Sequence, residues 1–251
     1  MELAEYRRMA EVEDVHWWYQ STRTLLQQLL GPLLPEGGRF LDVGCGTGAT
    51  GAWLSDHGRL VGADFEPIAL TLLRERHPDV AGAAADAAAL PFADDSFDAA
   101  LCVTVLCHRS IASPAAVVGE LARVVRPGGV VGLWEPGVRR LRRAHDRVTH
   151  TGRRFSRRDL GGLLTANGLH VERSTGAYAF LVPAAALKTL LERGDTSSDL
   201  DRHAGGLGGV LGAVAGAERR ALRRIDLPAG LSVVAVGKKL PEFLASGRAG
   251  A

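Results

Sequence analysis

The stretch LDVGCGTGAT, residues 41–50, constrains the fold more than any other part of the chain. It is a short apolar run with one acid, and it ends in three glycines spaced two apart. The backbone must therefore turn tightly directly after a buried strand. From this point strand-like and helix-like segments alternate as far as residue 136. That alternation predicts an α/β fold built on a doubly wound, mostly parallel sheet.

The alternation can be followed along the whole chain. Predicted strands cover 39–44, 59–65, 80–86, 97–106, 130–136, a segment around 169–180, and 231–239. Predicted helices cover 2–31, 49–58, 67–78, 113–129, 157–168 and, with a glycine-rich interruption, 184–225. Pro67 and Pro114 stand at first-turn positions of their helices, where a proline is well tolerated. A basic, irregular segment at 137–156 separates the two halves of the chain.

Composition and charge narrow the class of protein. The chain has 251 residues, 46% of them hydrophobic, and a net charge of +2, which gives no strong attraction to nucleic acid or to a membrane surface. Cys45, Cys102 and Cys107 lack metal-ligand spacing, and three thiols cannot all pair. We therefore expect a reduced, cytoplasmic setting and no metal site. No apolar run is long enough to span a membrane, and the first residues lack the apolar core of a signal peptide.

The charges around the glycine turn distinguish between two kinds of ligand. Gly44, Gly46 and Ala49 fit the dinucleotide pattern G-x-G-x-x-G/A loosely, and Asp64 follows Gly44 by 20 residues. Between residues 41 and 66, however, four acids accompany a single base. Pyrophosphate prefers positive surroundings, whereas an acidic rim suits a ligand with sulfonium and ammonium charges, such as S-adenosylmethionine. Asp64, at the end of the second strand, is placed to accept hydrogen bonds from two ribose hydroxyls.

Several motifs carry a family resemblance. LDVGCGTG, VGADFEP, DAAALPFADDSFD and LARVVRPGGVV occur in this order between about 39 and 135. Together they resemble a class I S-adenosylmethionine-dependent methyltransferase. HWWYQSTR at 16–23 resembles an aromatic helix that lies over the cofactor in bacterial small-molecule members of that family. The resemblance implies a Rossmann-like, seven-stranded sheet with an antiparallel last strand, together with a helical cap.

The resemblance also implies which residues hold the cofactor. The methionine end would lie against Gly44–Gly48 and the ribose on Asp64. Asp86 would hold the adenine amino group, with Ala87 lining the ring. The full set of expected cofactor contacts is Asp42, Gly44, Cys45, Gly46, Gly48, Asp64, Phe65, Asp86, Ala87, Val103, Trp18 and Arg23. Arg23 has an alternative role as the ion-pair partner of Glu11 or Glu13.

Candidate catalytic residues follow the fourth, fifth and sixth strands. His108 ends VTVLCHR, where Cys107 stands at a position that is commonly glutamate in the family, and it is either a base or a residue that fixes the cofactor or a loop. Glu135 either orients a substrate amine or hydroxyl, caps a helix or is exposed to solvent, and Tyr178 either donates a hydrogen bond or packs. His150 is either a base or a surface imidazole. The expected substrate-binding set is His16, Trp17, Tyr19, His108, His145 and His150.

The division of the chain follows from these assignments. A single methyltransferase domain is expected over 1–240. It comprises a helical lid at 1–35, a cofactor-binding core at 36–136, a substrate cap with the sixth strand at 137–225, and the last strand at 226–240. Residues 241–251 are expected to be a flexible tail. The arginines between 139 and 158 are most simply a solvated face, with an acidic substrate or RNA as alternatives.

The predicted function is methyl transfer from S-adenosylmethionine to an O, N or C atom of a small molecule in bacterial natural-product biosynthesis. The product cofactor is S-adenosylhomocysteine, and the chain is expected to be a monomer or a homodimer with no membrane or nucleic-acid partner. Two alternatives remain open: a methyltransferase that acts on RNA or protein, and a non-catalytic S-adenosylmethionine-binding homologue. The acidic rim disfavours a nicotinamide-dependent dehydrogenase.

Overall fold

The computed structural model describes residues 3–139, 141, 150–191 and 207–241, which form a sheet with helices on both faces. The strands are β1 (Gly38–Val43), β2 (Gly58–Asp64), β3 (Ala81–Ala84), β4 (Phe97–Val103), β5 (Val125–Pro136), β6 (Leu169–Ala177) and β7 (Ser232–Lys239). The helices are α1 (Leu3–Val12), α2 (Trp17–Leu30), α3 (Pro67–Arg76), α4 (Pro114–Val124), α5 (Arg157–Ala166), α6 (Val182–Leu191) and α7 (Leu207–Ala221).

The strand order of the described sheet is β3-β2-β1-β4-β5-β7-β6. β7 runs antiparallel to both of its neighbours, and the other strands are parallel to one another. The chain runs outward from β1 to β2 and β3 and then returns to β4 on the other side of β1. The carboxyl ends of β1 and β4 therefore meet at the point where the order reverses, which is where open α/β sheets bind ligands. The predicted doubly wound, seven-stranded sheet is confirmed.

Two apolar clusters lie on opposite faces of this sheet. On one face α2 buries Leu25, Leu26, Leu29 and Leu30, whose spacing places them on a single helical stripe. Gly132 of β5 lets this helix approach closely, since a Cβ there would lie 2.5 Å from a methyl of Leu30. On the other face α4 and α5 bury the following side chains: Val117, Val118, Leu121, Leu160 and Leu164. The sheet is thus the middle of three layers.

The predicted helix over 2–31 is wrong in one respect, because it is two helices with a break at residues 13–16. A side-chain contact fixes the chain at each end of this break. Glu13 leaves the helical path and buries its carboxylate against Thr47. His16 is the N-cap of α2, and its Nδ1 accepts a hydrogen bond from the Trp18 N–H at 3.3 Å. A side chain at the N-cap satisfies one of the unpaired donors of the first turn.

Two further predicted helices, 49–58 and 113–129, are shorter in the structure because glycine or proline interrupts them. The segment 49–58 forms only a short 3-10 turn, Ala52–Asp56, because the chain keeps turning through Gly51 before β2 begins. The predicted helix 113–129 ends at Val124, since Pro127 cannot continue it and Gly128 has a φ of +87°. β5 therefore starts earlier than predicted, with an irregularity in its register against β4.

No helix in the described part of the chain is long and apolar enough to cross a membrane.

Substituting Leu26 with alanine tests the packing of α2 on the sheet. Leu26 is fully buried, so Leu26→Ala is expected to lower the free energy of unfolding by about 2–5 kcal/mol. The control is Leu187→Ala, because Leu187 is 58% exposed and its loss should cost no more than about 0.5 kcal/mol. Urea unfolding followed by circular dichroism measures both changes. Equal losses in the two variants would contradict this packing.

Candidate functional site

The turn after β1, residues 44–48, contains three glycines, and we call the backbone of this turn the cradle. Gly44, Gly46 and Gly48 have φ values of +69°, +55° and +97°, a region that side chains with a Cβ rarely adopt. A Cβ on Gly44 would overlap Val105, and a Cβ on Gly48 would overlap Leu73. The turn therefore requires glycine both for its conformation and for the space around it. We call residues 44–48 the glycine turn.

Asp64 joins the glycine turn to the end of β2. Its Oδ2 accepts the N–H of Gly46 at 2.9 Å, and its Oδ1 accepts the N–H of Glu66 at 2.9 Å. Burial raises the pKa of Asp64, while the N–H groups of Glu66, Gly46 and Phe65 lower it. A carboxylate has about four acceptor positions, so these donors do not use all of its acceptor capacity. This capacity fits a pair of ribose hydroxyls.

An exposed aromatic side chain follows Asp64 directly. Phe65 is 73% exposed, so its ring offers an apolar face to a ligand. The N–H of Ala85 donates to the carbonyl of Asp64 at 3.0 Å, so the segment after β3 runs alongside. Asp86 is exposed there and accepts the N–H of Ala88 at 2.8 Å. An open apolar face next to a carboxylate is the chemistry that an adenine ring with its amino group requires.

Helix α1 lies over the glycine turn. Tyr6 is only 7% exposed, and burial together with the charges of Asp64 and Glu66 raises its pKa. The terminal methyl of Met9 lies 3.0 Å from the position that a Cβ on Gly46 would occupy. Neither contact was predictable from the sequence.

A buried carboxylate holds the chain after α1 to the same turn. Glu13 is 1% exposed, and its Oε2 accepts the hydroxyl of Thr47 at 2.5 Å. Its Oε1 lies 3.0 Å from the Nε of Arg76 on α3. Burial raises the pKa of Glu13, whereas the Thr47 hydroxyl and the Arg76 guanidinium lower it. We call Glu13, Thr47 and Arg76 the N-terminal latch.

Arg23 of α2 lies at the far end of the glycine turn. Its guanidinium donates to the carbonyl of Ala49 at 3.3 Å and to the carbonyl of Glu13 at 3.0 Å. Its ion pair is with Asp14 at 3.6 Å, rather than with the carboxylate of Glu11 or Glu13. The contact with Ala49 keeps this positive charge beside the cradle, where it could also meet a cofactor carboxylate.

Asp42 is the acid within β1, one residue before the strand ends. It is 3% exposed, and burial together with the charge of Asp64 raises its pKa from 3.8 to about 7. A Cβ on Gly51 would overlap its Oδ2, so the backbone after the turn packs directly on this carboxyl group. Asp42 and Asp64 give the cradle its negative character.

The loop after β4 is held by a second buried carboxylate. Glu135 has no exposed surface, and its Oε1 accepts the N–H groups of Val105 at 3.1 Å and of Leu106 at 2.8 Å. Its Oε2 accepts the N–H of Cys107 at 3.0 Å. Burial raises the pKa of Glu135 to about 8, although these donors lower it. The carboxylate is thus engaged with backbone, which fits an anchoring role better than direct contact with a substrate.

The structure brings together two histidines that are 42 residues apart in the sequence. The ring centroids of His108 and His150 are 5.6 Å apart. A β-bridge between His108 and Thr151 places them, together with the N–H of Gly152, which donates to the carbonyl of Cys107 at 2.8 Å. His150 itself has a φ of +52°. These two candidates therefore form one site at the carboxyl end of β4.

His108 is suited to accept a proton. Burial lowers its pKa to about 4, so the imidazole is neutral at pH 7. Its Nδ1 lies 2.6 Å from the hydroxyl of Ser110 and accepts the N–H of the same residue at 3.3 Å. His145, the other imidazole predicted for this segment, lies outside the described residues.

Tyr178 is tied into the fold. It is 3% exposed, and its hydroxyl lies 2.8 Å from that of Thr22 and donates to the carbonyl of Trp18 at 3.3 Å. Its ring also packs edge-on against Trp17, with the centroids 5.5 Å apart. Burial raises its pKa further above the ordinary value. These contacts join α2 to the end of β6 and favour the packing alternative for Tyr178.

The three adjacent aromatic residues at the start of α2, Trp17, Trp18 and Tyr19, are buried to different extents. Tyr19 is 8% exposed and packs against His16 and Trp18. Trp17 and Trp18 are half-buried. Val103, at the end of β4, is half-buried in the cluster that includes both tryptophans. The three adjacent aromatics thus point in different directions, as a helix requires.

Comparison with known proteins agrees with this geometry. Residues 41–133 match the family described as a methyltransferase domain. This match covers the glycine turn, the end of β2 and the loop after β4. Together with the sheet order, it supports the resemblance to class I S-adenosylmethionine-dependent methyltransferases.

Curated relatives match parts of the chain. A demethylmenaquinone methyltransferase of Beutenbergia cavernae is 45% identical over 95 residues, covering 37% of this chain and 38% of the relative. The demethylmenaquinone methyltransferase of Clavibacter sepedonicus is 39% identical over 156 residues, covering 55% and 62%. Methyltransferase GfsG of Streptomyces halstedii is 36% identical over 155 residues, covering 54% and 55%. The chain thus matches less than two thirds of the length of each of these relatives.

Solved structures share the fold over most of the chain. A putative methyltransferase in complex with the Haloferax volcanii Trm112 activator superposes with a TM-score of 0.63 at 23% identity, covering 95% of this chain and 96% of that chain. The [4+2]-cyclase SpnF superposes with a TM-score of 0.56 at 22% identity, covering 86% and 80%. The architecture is therefore shared by proteins whose names indicate different activities.

Replacing Gly44 with alanine tests whether the cradle requires glycine. The positive φ and the overlap with Val105 together should cost about 2–4 kcal/mol of unfolding free energy. The matched control is Gly212→Ala in α7, where a Cβ meets nothing within 4 Å. That change should stabilise the helix by about 0.5–1 kcal/mol. Urea unfolding of both variants measures the difference, and a Gly44→Ala protein as stable as the wild type would contradict the strained turn.

Replacing Asp42 with asparagine tests the buried charge. Because the pKa of Asp42 is raised in the fold, its contribution to stability is present below pH 3.8 and is lost as the pH rises through about 7. Asp42→Asn should therefore have a melting temperature near that of the wild type at pH 4 and a higher one at pH 8. Each kcal/mol of unfolding free energy gained by the substitution corresponds to roughly 2–4 °C. Calorimetric scans between pH 4 and 8 measure the difference in melting temperature, and a difference independent of pH would refute the assignment.

Proposed function

We propose that this protein transfers the methyl group of S-adenosylmethionine to an O, N or C atom of a small molecule. One observation carries the proposal: the glycine turn with its two buried acids packs against Val105, which lies on the same loop as His108 of the His108–His150 pair. A cationic cofactor fits an acidic cradle, and a proton acceptor fits the position next to a methyl acceptor. The dehydrogenase alternative requires a pyrophosphate in the same acidic surroundings.

The described residues fit the cofactor at each of its parts. The glycine turn would take the methionine end, with Asp42 below it and Arg23 beside it. Asp64 would accept hydrogen bonds from the ribose hydroxyls, and Phe65 with Asp86 would take the adenine. When bound, S-adenosylmethionine supplies an activated methyl group on a sulfonium. No metal is needed to activate such a group.

The histidine pair would serve the methyl acceptor. A nucleophile attacks efficiently when it is held about 3–3.5 Å from the carbon it attacks. An acceptor hydroxyl or ammonium group must also lose a proton, and His108 is neutral at pH 7 and can take it. His150 lies close enough to share the acceptor or to orient it. His108 and His150 are our proposed base and orienting residue.

A small molecule is favoured over RNA or protein as the substrate. The name of the demethylmenaquinone methyltransferases among the curated relatives supports a small-molecule acceptor, and we place its methylation in natural-product biosynthesis. Two described arginines of the basic segment are also engaged within the fold. Arg139 pairs with Asp159, and Arg154 donates to the carbonyl of Gly137 at 2.9 Å. These contacts favour a structural role for Arg139 and Arg154 over a polyanion-binding role.

The cellular setting we propose is the bacterial cytoplasm. Cys45, Cys102 and Cys107 are all buried and unpaired, which suits a reducing compartment. Burial raises the pKa of the Cys107 thiol well above its usual value, so it is a poor nucleophile despite its place beside His108. We propose that the chain acts as a monomer or homodimer.

Thermal unfolding with candidate cofactors tests the proposal. At 100 times its dissociation constant, S-adenosylhomocysteine should stabilise the protein by about 2.7 kcal/mol. For a chain of this size that is roughly 5–10 °C in melting temperature. NADH should give no shift. Asp64→Asn should lose most of the shift because the amide nitrogen cannot accept a ribose hydroxyl, whereas the exposed Asp79→Asn control should keep it.

The outcomes separate the alternatives. Stabilisation by NADH alone would overturn the proposal and the argument from charge. Binding of S-adenosylhomocysteine without methylation of any of a panel of phenols, amines, carboxylic acids and quinols by S-adenosylmethionine would favour a non-catalytic homologue.

A further inference from the structure

We propose that Glu135 is a positioning residue that holds the loop from Thr104 to His108 in register between the glycine turn and His150. The importance of this register for catalysis rests on the proposed function. The contacts that define the register are observed in the structure and do not depend on that function. Three observations carry the inference, and each concerns a different part of the loop.

The first observation is that a single side chain satisfies three consecutive backbone donors. Val105, Leu106 and Cys107 all donate to the two oxygens of Glu135 over 2.8–3.1 Å. Three successive N–H groups that converge on one carboxylate fix the path of the loop. Both oxygens of the carboxyl group accept here, whereas a glutamine has a single acceptor oxygen and a nitrogen that would face a donor.

The second observation concerns the end of the loop nearest the cradle. Thr104 has a φ of +57°, and its N–H donates to the carbonyl of Trp134 at 2.7 Å. This left-handed residue ends β4 and turns the chain toward Gly44. The side chain of Val105 then packs so closely on Gly44 that a Cβ there would overlap it. Moving the Val105 backbone would therefore move one wall of the glycine turn.

The third observation concerns the end nearest the histidines. The carbonyl of Cys107 accepts the N–H of Gly152 at 2.8 Å, and the N–H of Arg109 donates to the carbonyl of His150 at 2.9 Å. These bonds join the loop to the segment that carries His150. Glu135 thus positions the loop that carries His108, and the hydrogen bonds to Gly152 and His150 join that loop to the segment that carries His150. The same carboxylate that fixes the cradle wall also fixes the distance between the two imidazoles.

Glu218 provides a matched control elsewhere in the fold. Its carboxylate also accepts consecutive backbone donors, the N–H groups of Tyr178 at 2.5 Å and Ala179 at 2.8 Å, with Phe180 at 3.4 Å. This control therefore has the same chemistry and a comparable number of donors. It lies on α7 and holds the turn after β6 rather than the loop after β4. Loss of Glu218 should destabilise the fold without changing the His108 site.

The experiment compares Glu135→Gln with Glu218→Gln by NMR in the absence of substrate. In Glu135→Gln the amides of Val105, Leu106 and Cys107 should exchange with solvent at least tenfold faster than in the wild type. The His108 imidazole should titrate at least one pH unit closer to 6.5, because it is less held in its buried position. In Glu218→Gln both properties should stay as in the wild type. The same samples are titrated with S-adenosylhomocysteine, and Glu135→Gln should bind several-fold more weakly.

The result that overturns the inference is unchanged exchange at the three amides and unchanged His108 titration in a folded Glu135→Gln protein. Equal effects in the two variants would also overturn it, since that would indicate general destabilisation. Should Glu135→Gln fail to fold, Glu135→Asp keeps the charge on a shorter side chain. It should show intermediate exchange at the same three amides. Failure of the wild type to bind S-adenosylhomocysteine would count against the proposed function while leaving the exchange result to decide the role of Glu135.

Discussion

The hydrogen bond from the Gly46 N–H to the Asp64 carboxylate connects the two features on which the site depends. It joins the turn after β1 to the end of β2, so two neighbouring parallel strands deliver a bent backbone and a buried charge to one place. The turn can approach the carboxylate only because its residues are glycines with positive φ. With Asp42 buried below, the result is a negative cradle at the point where the strand order reverses. This combination favours a cationic cofactor over a pyrophosphate.

Two buried carboxylates, those of Glu13 and Glu135, connect the surroundings of the cradle to different parts of the fold. Glu13 belongs to the N-terminal latch and ties α1 and its following break to the turn and to α3. Glu135 ties the end of β5 to the loop that carries His108. Each carboxylate costs free energy to bury and is stable there because donors surround it. The glycine turn and the loop that carries His108 are thus both held by buried carboxyl groups.

Much of the fold was predictable because its signals are local. The apolar runs of the strands, the prolines at helix starts and the three spaced glycines are each visible within ten residues, and the sheet was confirmed. The break at Glu13–His16 was not visible, because it depends on a contact between Glu13 and Thr47, 34 residues away. The short turn at Ala52–Asp56 was missed for a similar reason, since Gly51 must pack on Asp42 of the preceding strand. For the site, the position of Asp64 followed from strand ends, whereas the approach of His108 to His150 required a β-bridge that no spacing rule predicts.

The most direct test of the account is a crystal structure of the protein with S-adenosylhomocysteine. The account predicts the homocysteine against Gly44–Gly48, both ribose hydroxyls within hydrogen-bonding distance of Asp64, the adenine beside Phe65 and Asp86, and the sulfur facing the His108–His150 pair. A ligand bound elsewhere, or one whose sulfur faces away from these histidines, would contradict it.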